Sequence, residues 1–162
     1  SGGIVEVRVA GVPVGLGEPV FCKMDAELGR MLGIGAVKGV EVGAGFAVKD
    51  MTGYESNDQM HAENGKVVFD SNNAGGITGG LTSGQDIIVR LAVKPTPTID
   101  KPQHTIDKYT LKNTDLAAIT RRDPTIVGRI WPVAENYTAM VILDHLMAHL
   151  GYEQLKATIA RS

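Results

Sequence analysis

The chain has 162 residues, of which 43% are hydrophobic, so it is long enough for one domain with a sizeable core. A formal net charge of −2 argues against a nucleic-acid binder, which usually carries a basic excess. The single cysteine, Cys22, excludes an internal disulfide framework and a multi-cysteine zinc site. No apolar run reaches the roughly 18 residues of a membrane helix, and no signal peptide opens the chain, so we expect a cytoplasmic protein without a membrane partner.

Alternating hydrophobicity predicts two strands in the first third of the chain, over residues 3–10 and 37–42. Between them, apolar residues at helical spacing over residues 24–32 predict a short amphipathic helix. Residues 53–66 are polar and rich in turn residues, so we interpret them as a loop with room for a hairpin. A short strand is predicted to follow at residues 66–69.

The second half of the chain begins with the clearest strand, residues 87–93, whose nearly continuous apolar run predicts burial on both faces. Residues 100–120 are mixed and polar and predict no element. The longest helix is predicted over residues 133–150, with Pro132 in its first turn and Gly151 as its stop. A second short helix is expected after that glycine. The mixture favours an α+β or α/β fold without an internal domain boundary.

Glycine is the one unusual component, with 20 residues, several of them in the stretch DSNNAGGITGGLTSGQD at 70–86. A phosphate-binding P-loop is excluded because Gln85 stands where that motif requires a lysine. The glycine pattern of a Rossmann dinucleotide site is also absent. Two interpretations stay open: a loop whose backbone approaches a flat or anionic ligand, and a tight double turn between strands.

Two segments are candidates for an anion site. The sequence RRDP at 121–124, with Arg129 following, combines an ionised carboxylate with guanidiniums, which bind carboxylates and phosphates. The sequence KPTPT at 94–98 directly follows the clearest strand, and ligand groups gather at strand ends in α/β sheets. Residues 94–129 carry seven Lys or Arg and four Asp or Glu, a local excess of +3. The ordinary alternatives are a surface ion-pair cluster and a simple strand exit.

The histidines give weaker signals. His145 and His149 are four residues apart on the predicted long helix, which is a spacing that could hold a metal. No third ligand lies nearby in the sequence, and the helix dipole favours histidine at a helix C-terminus in any case. We therefore predict no metal site. His61 and His104 lie in polar loops without an evident partner, and Cys22 is interpreted as structural.

Several stretches together resemble chorismate synthase. They are SNNAGGITGGLTSGQDI at 71–87, VKPT at 93–96, RRDP at 121–124 and VAENYTAMVILDHLM at 133–147. The opening segment 11–46 and Ser56-Asn57-Asp58 are similar to the same family. The resemblance runs nearly end to end but covers only the C-terminal portion of that enzyme. Residues 1–162 are therefore interpreted as a single truncated domain, without the portion that carries the family's two active-site histidines and part of its flavin site.

The resemblance implies a fold, a reaction and an assembly. The family fold is an α+β sandwich, β-α-β, with antiparallel sheets packed around helices, and the enzyme assembles as a homotetramer. This lyase converts 5-enolpyruvylshikimate 3-phosphate to chorismate and phosphate by a trans 1,4-elimination, the last common step of the shikimate pathway to the aromatic amino acids. It needs reduced FMN, although nothing is oxidised overall. NADPH is the reductant associated with this flavoprotein, and whether the same polypeptide reduces its flavin stays open.

The resemblance also implies site residues. The family's flavin contacts correspond to Gly35, Ala36, Gly79, Lys94, Pro95, Thr96, Pro97, Thr98 and Arg121. The carboxylate often assigned a proton-transfer role with the flavin corresponds to Asp123. The sequence departs from the family's usual residues at Gly35, Pro97, Thr98, Thr120 and Arg122. These departures bear on the flavin geometry rather than on the family.

Because part of the resembled site is absent from this chain, two other interpretations stay open. The chain alone is expected to be inactive, so it could serve as a non-catalytic folded core or an assembly module. A generic phosphate- or nucleotide-binding module is the third interpretation, and it depends only on the glycine-rich stretch and the arginine cluster. Binding of ATP without binding of reduced FMN would favour that module.

Overall fold

The computed structural model describes residues 1–18, 20–118 and 123–159. The strands are β1 (Gly3–Val9), β2 (Val37–Val42), β3 (Met60–Glu63), β4 (Lys66–Phe69), β5 (Ile77–Thr78), β6 (Leu81–Thr82), β7 (Ile87–Val93), β8 (Gln103–Ile106) and β9 (Asn113–Leu116). The helices are α1 (Met24–Gly29), α2 (Gly53–Ser56) and α3 (Val127–Ile159), with 3₁₀ turns at Arg30–Gly33 and Gly45–Asp50. The strands predicted at 3–10, 37–42, 66–69 and 87–93 are thus present.

β1, β7 and β2 form an antiparallel sheet in that order, so the last of them in sequence lies in the middle. The register places Val7 opposite Val89, and directly opposite residues share one face of the sheet. The buried residues of β7 alternate with residues that are half-buried or exposed, such as Arg90 and Ala92. The prediction that residues 87–93 are buried on both faces is therefore wrong, since the core lies on one face only.

The apolar face of the sheet packs against α1 and the first half of α3. Ile130, which is 3% exposed, and Ala134, which is fully buried, join the core from α3. The Tyr137 hydroxyl donates a 3.3 Å hydrogen bond to the carbonyl oxygen of Glu27 and so links α3 to α1. The core residues are Val5, Val7, Val12, Leu16, Met24, Leu28, Met31, Val37, Ile77, Ile87, Val89, Leu91, Val93, Ile130 and Ala134.

α3 is one helix of 33 residues, about 50 Å long at 1.5 Å per residue. It begins at Val127, so Pro132 lies inside it and not in its first turn, and the predicted start at residue 133 is wrong. It also continues through Gly151, where a stop was predicted, and includes the expected second helix. A glycine inside a helix costs only about 1 kcal/mol relative to alanine. The good helix formers that follow, with the Lys156–Glu153 ion pair at 2.7 Å, offset that cost.

A second apolar stripe of α3 stays exposed. It is formed by Val133, Met140, Leu143, Met147 and Leu150. These positions fall on one side of the helix because they recur three, four or seven residues apart. None of the helices in the described part of the chain is long and apolar enough to span a membrane.

In the described residues, three short hairpins accompany the sheet: β3–β4, β5–β6 and β8–β9. The β3–β4 hairpin turns through Asn64 and Gly65, both at positive φ, as a type I′ hairpin turn requires. This confirms the hairpin for which the sequence left room. The β8–β9 hairpin lies in the mixed segment 100–120 and was not predicted, because its strand residues are almost all exposed and show no alternation.

Candidate active site

A cavity of about 350 Å³ lies where the end of β7 faces the start of α3. It is lined by Ala36, Lys94, Pro95, Thr96, Pro97, Asp123, Pro124, Thr125, Ile126 and Arg129. Its wall is mainly apolar, with two cationic side chains and one carboxylate among the lining residues. A concave site with a few polar groups on an apolar wall is typical of small-molecule binding.

The first wall of the cavity is the chain that leaves β7. Val93, the last residue of β7, pairs with Val37 at the start of β2. Ala36 and Lys94 therefore lie side by side, where β2 begins and β7 ends, and Lys94 N–H donates a 2.9 Å hydrogen bond to the Ala36 carbonyl. Two prolines then restrict the backbone of residues 95–97. The segment is stiff on both counts, so its polar atoms are held in place before any ligand binds.

The second wall of the cavity is the approach to α3. Asp123 and Pro124 precede the helix, and Arg129 lies in its first turn, where its N–H bonds to the Ile126 carbonyl at 2.8 Å. Arg129 directly precedes the buried Ile130, so the first turn is anchored to the core. In the segments described by the structure, no ion pair involves Asp123, Lys94 or Arg129. Their charges thus remain available to a ligand.

The structure brings most of the predicted site residues together. Ala36, Lys94, Pro95, Thr96, Pro97 and Asp123 all line the cavity, although the two walls are far apart in sequence. Gly35 and Thr98 are next to lining residues but do not line the cavity themselves. Arg121 lies outside the described residues. Thr125 and Ile126 were not predicted as site residues, whereas Arg129, named with the candidate anion segment at 121–124 although not as a flavin contact, lines the cavity.

Gly79 has a different position. With Gly80 it forms the two-residue turn of the β5–β6 hairpin, where both residues have positive φ. The Gly80 carbonyl accepts a 2.9 Å hydrogen bond from Met24 N–H at the start of α1. Thr82 is buried and ties the hairpin to the loop before α1, through a hydrogen bond from its hydroxyl to the Pro13 carbonyl. Around Gly79 the stretch thus forms the tight turns of the second interpretation.

Asp58 organises the start of the glycine-rich stretch. Its carboxylate accepts hydrogen bonds from Ser71 Oγ at 2.6 Å, Asn73 N at 2.7 Å and Ala74 N at 2.9 Å. Burial acts to raise the pKa of Asp58, but these hydrogen bonds outweigh it and hold that pKa below its ordinary value. An ionised Asp58 therefore stabilises the turn that enters the stretch.

Two glycines allow the glycine-rich stretch to lie close to the chain that follows β2. Gly43 and Gly75 lie backbone to backbone, and a Cβ on either one would overlap main-chain atoms of the other segment. Both have positive φ, which also favours glycine. The neighbouring Ala44 N–H donates a 2.7 Å hydrogen bond to the Asn73 carbonyl. The glycine-rich stretch is consequently fastened to the end of β2.

The histidines form pairs but no metal cluster. His61 Nδ1 lies 3.0 Å from an Asp70 oxygen, and His104 Nδ1 lies 2.6 Å from an Asp115 oxygen, each pair across an exposed hairpin. His145 faces the interior and is 6% exposed. Among the described residues, no three His, Cys, Asp or Glu side chains come together in a way that could hold a metal ion.

Comparison with known proteins decides the family. A family model described as chorismate synthase matches residues 1–147. The chain belongs to the chorismate synthase family. A chorismate synthase from Methanosarcina mazei is 55% identical over 148 residues, which cover 91% of this chain and 40% of that protein. One from Acetivibrio thermocellus is 47% identical over 161 residues, which cover 98% of this chain and 41% of that protein.

The fold agrees with this family. A solved structure titled "Crystal Structure of Chorismate Synthase" matches with a TM-score of 0.70 and 31% sequence identity, over 93% of this chain and 37% of that chain. The α+β fold expected from the sequence is confirmed as part of the chorismate synthase fold. The chain spans about 40% of the length of the curated chorismate synthases that it matches.

Proposed function

We propose that this chain is the C-terminal part of a chorismate synthase, a carbon–oxygen lyase that converts 5-enolpyruvylshikimate 3-phosphate to chorismate and phosphate with reduced FMN. One observation carries the proposal. In a chain that matches this family over residues 1–147, the segment after β7 and Asp123 line the same cavity. The trans 1,4-elimination removes a proton and a phosphate group, so it needs a proton-handling group beside a site for anions.

The cavity residues fit a phosphorylated flavin. Its volume of about 350 Å³ lies within the usual range of small-molecule sites. The FMN phosphate is a dianion, and Lys94 offers an unpaired ammonium near the backbone of residues 95–97. Reduced FMN supplies an electron-rich ring next to the substrate. We propose Ala36, Lys94, Pro95, Thr96 and Pro97 as its contacts within the cavity, and Gly35, Thr98, Gly79 and Arg121 as further contacts on the basis of family membership.

Asp123 is the proposed proton-handling residue. It is exposed at the cavity wall, and no described side chain forms a hydrogen bond or ion pair with its carboxylate. Pro124 follows it and restricts its backbone to extended conformations. A carboxylate that is held in place and not engaged by the protein can accept a proton from a bound ligand and release it later.

The remaining parts of the proposal depend on family membership alone. The complete protein is proposed to act in the cytoplasm as a homotetramer, in the shikimate pathway, with NADPH as the associated reductant. The proposed substrate carries a phosphate and two carboxylates, which accords with the local excess of +3 over residues 94–129. The relatives are about two and a half times as long as the matched region, so other parts of the enzyme are proposed to complete the site.

The test is an activity assay on the complete enzyme and on this 162-residue chain, each with the substrate and chemically reduced FMN. The complete enzyme is expected to form chorismate and phosphate in equal amounts. This chain alone is expected to form none, because proton-transfer groups typically contribute about 10²- to 10⁴-fold and some of them lie outside it. A complete enzyme without chorismate formation would refute the proposed function. Turnover by the chain, when shown to be free of the complete enzyme, would refute its inactivity.

A generic phosphate- or nucleotide-binding module is the second candidate. It is favoured by the two cationic side chains on the cavity wall, Lys94 and Arg129, neither of which is paired within the described segments. A module of this kind would bind ATP and would not bind reduced FMN. Calorimetric titration of the chain with each ligand in turn measures both dissociation constants and distinguishes the two candidate functions. Selective binding of reduced FMN supports the flavin enzyme.

A further inference from the structure

We infer that Arg129, in the first turn of α3, binds the phosphoryl dianion of the ligand that occupies the cavity. This inference depends on the proposed function, and it adds a binding residue that the resemblance did not supply. Arg129 lines the same cavity as Lys94. A phosphoryl group in that cavity would lie near two cationic side chains.

The first argument is that Arg129 has no ion-pair partner among the described residues. Within the described residues, the other three arginines are already engaged: Arg90 with Glu41 at 3.5 Å, Arg30 with Glu27 at 3.1 Å and Arg8 with Glu6 at 3.9 Å. Arg129 has no carboxylate partner in those segments. The planar guanidinium is suited to forked contacts with phosphate oxygens. Among the four described arginines, the one without a carboxylate partner is thus the one on the cavity wall.

The rigidity of its support is the second argument. Arg129 N–H and Ile130 N–H both donate to the Ile126 carbonyl, at 2.8 and 3.1 Å, so the first turn of α3 is well formed. Ile130 and Ala134 fix that turn against the sheet. On the first wall of the cavity, the bond from Lys94 N–H to the Ala36 carbonyl fixes the backbone that carries the second cation. The backbone that carries each cation is thus fixed before a dianion binds, and only the two exposed side chains still lose conformational freedom.

The direction of α3 is the third argument. The cavity lies at its N-terminal end, where Thr125 and Ile126 line it just before the helix begins. The first N–H groups of α3 are largely engaged, since those of Arg129 and Ile130 donate to the Ile126 carbonyl. The helix dipole still favours an anion at that end. The space beside Gly128 is open, since a Cβ there would meet no atom within 4 Å. Helix end and guanidinium would therefore act on the same group.

The phosphoryl group has two possible sources, the flavin and the substrate. The shared chemistry is a dianion with several acceptor oxygens, and both sources supply it. The test uses the complete enzyme with Arg129→Ala, Arg129→Lys and, as a matched control, Lys66→Ala. Lys66 is an exposed cation in the β3–β4 hairpin and does not line the cavity. Dissociation constants are measured by calorimetry for FMN, riboflavin, the phosphorylated substrate and its dephosphorylated form, and inorganic phosphate.

Arg129→Ala is expected to weaken binding of one phosphorylated ligand by about tenfold or more, as the loss of a charge-assisted contact predicts. Its counterpart without phosphate should bind within about twofold of the wild type. Loss for FMN but not riboflavin identifies the flavin as the source, and loss for the phosphorylated substrate alone identifies the substrate. Arg129→Lys should recover part of the affinity, and Lys66→Ala should change none of these constants.

Two outcomes would overturn the inference. In the first, Arg129→Ala binds every phosphorylated ligand as tightly as the wild type. In the second, it loses equal affinity for the ligands with and without phosphate. If the wild type binds neither flavin nor substrate, the proposed function fails, and inorganic phosphate then decides the role of Arg129. A tenfold weaker phosphate affinity in Arg129→Ala supports that role, and an unchanged affinity refutes it. Circular dichroism of each variant shows that the fold is retained.

Discussion

The backbone N–H of Lys94 donates a 2.9 Å hydrogen bond to the carbonyl of Ala36, a residue with a φ of +71°. That bond extends the pairing of β7 with β2 by one residue, at the point where the first wall of the cavity begins. An alanine in the left-handed region is strained by about 1–2 kcal/mol, so the surrounding contacts must hold it there. Local backbone strain is thus located next to the candidate active site, as is common at functional sites.

Ala36→Gly is expected to be neutral or stabilising, because glycine adopts positive φ without the Cβ clash. Ala36→Val is expected to lower the free energy of unfolding by about 2 kcal/mol, since a β-branched residue is disfavoured there. Urea denaturation of both variants measures the difference. Equal stability of the two variants would show that the positive φ of Ala36 is not maintained in solution.

Asp123→Asn, in the complete enzyme, is expected to lower kcat by about 10²-fold or more with little change in KM. Asparagine keeps the size of the side chain and one acceptor oxygen but cannot take up a proton. Steady-state kinetics at saturating reduced FMN provides the measurement. Full recovery of kcat at high FMN would instead show that Asp123 supports flavin binding and does not handle a proton.

Asp58→Ala is expected to destabilise the protein by about 1–3 kcal/mol, because it leaves the Asn73 and Ala74 N–H groups without their acceptor. Asp58→Asn keeps one acceptor oxygen and should cost less. Chemical denaturation at neutral pH gives both values. If both variants match the wild type, the contacts of Asp58 do not contribute to stability.

The contribution of Asp58 is also expected to depend on pH. Its pKa in the folded protein lies below the ordinary value, so folding favours the ionised form. The stabilisation is therefore complete above the ordinary carboxyl pKa of about 3.9 and is lost as the pH falls through the lower, folded pKa. The stability difference between the wild type and Asp58→Asn should shrink over that acid range. A difference that stays constant down to pH values of about 2.5 would contradict the lowered pKa.

Gly75→Ala is expected to destabilise the protein by about 2 kcal/mol or more, because a Cβ there would overlap the backbone of Gly43 at a positive φ. Gly29→Ala is the matched control. Gly29 ends α1, and a Cβ on it would meet nothing within 4 Å. That control should be neutral or stabilise the helix by up to about 1 kcal/mol. Thermal melting compares the two, and similar melting temperatures would argue against the close backbone contact.

The sequence predicted the strands of the sheet, β1, β2 and β7, but not the short β5 and β6, although Ile77 and Thr82 in them are buried. β1 and β2 alternate because the sheet has one apolar side, and the Asn64-Gly65 turn requires residues that tolerate positive φ. It did not predict β8 and β9, whose residues are almost all exposed and leave no periodic signal. It also misplaced both ends of α3, because Pro132 is typical of the first turn of a helix and Gly151 of its end. Both local signals are outweighed by the packing and side-chain pairs of the long helix.

For the candidate site, too, the sequence predicted some features and the tertiary structure decided the others. The motifs around Lys94 and Asp123 were recognisable from residue type and order alone, and they indicated the family that the comparisons show. Their meeting on one cavity is decided by the antiparallel register, which places Ala36 beside Lys94, and by the packing of Ile130 at the start of α3. The same packing brings Arg129 to the cavity wall. Residue type sets the chemistry that each group can perform, whereas only tertiary packing sets which groups share a ligand, because the two walls are joined through space and not along the chain.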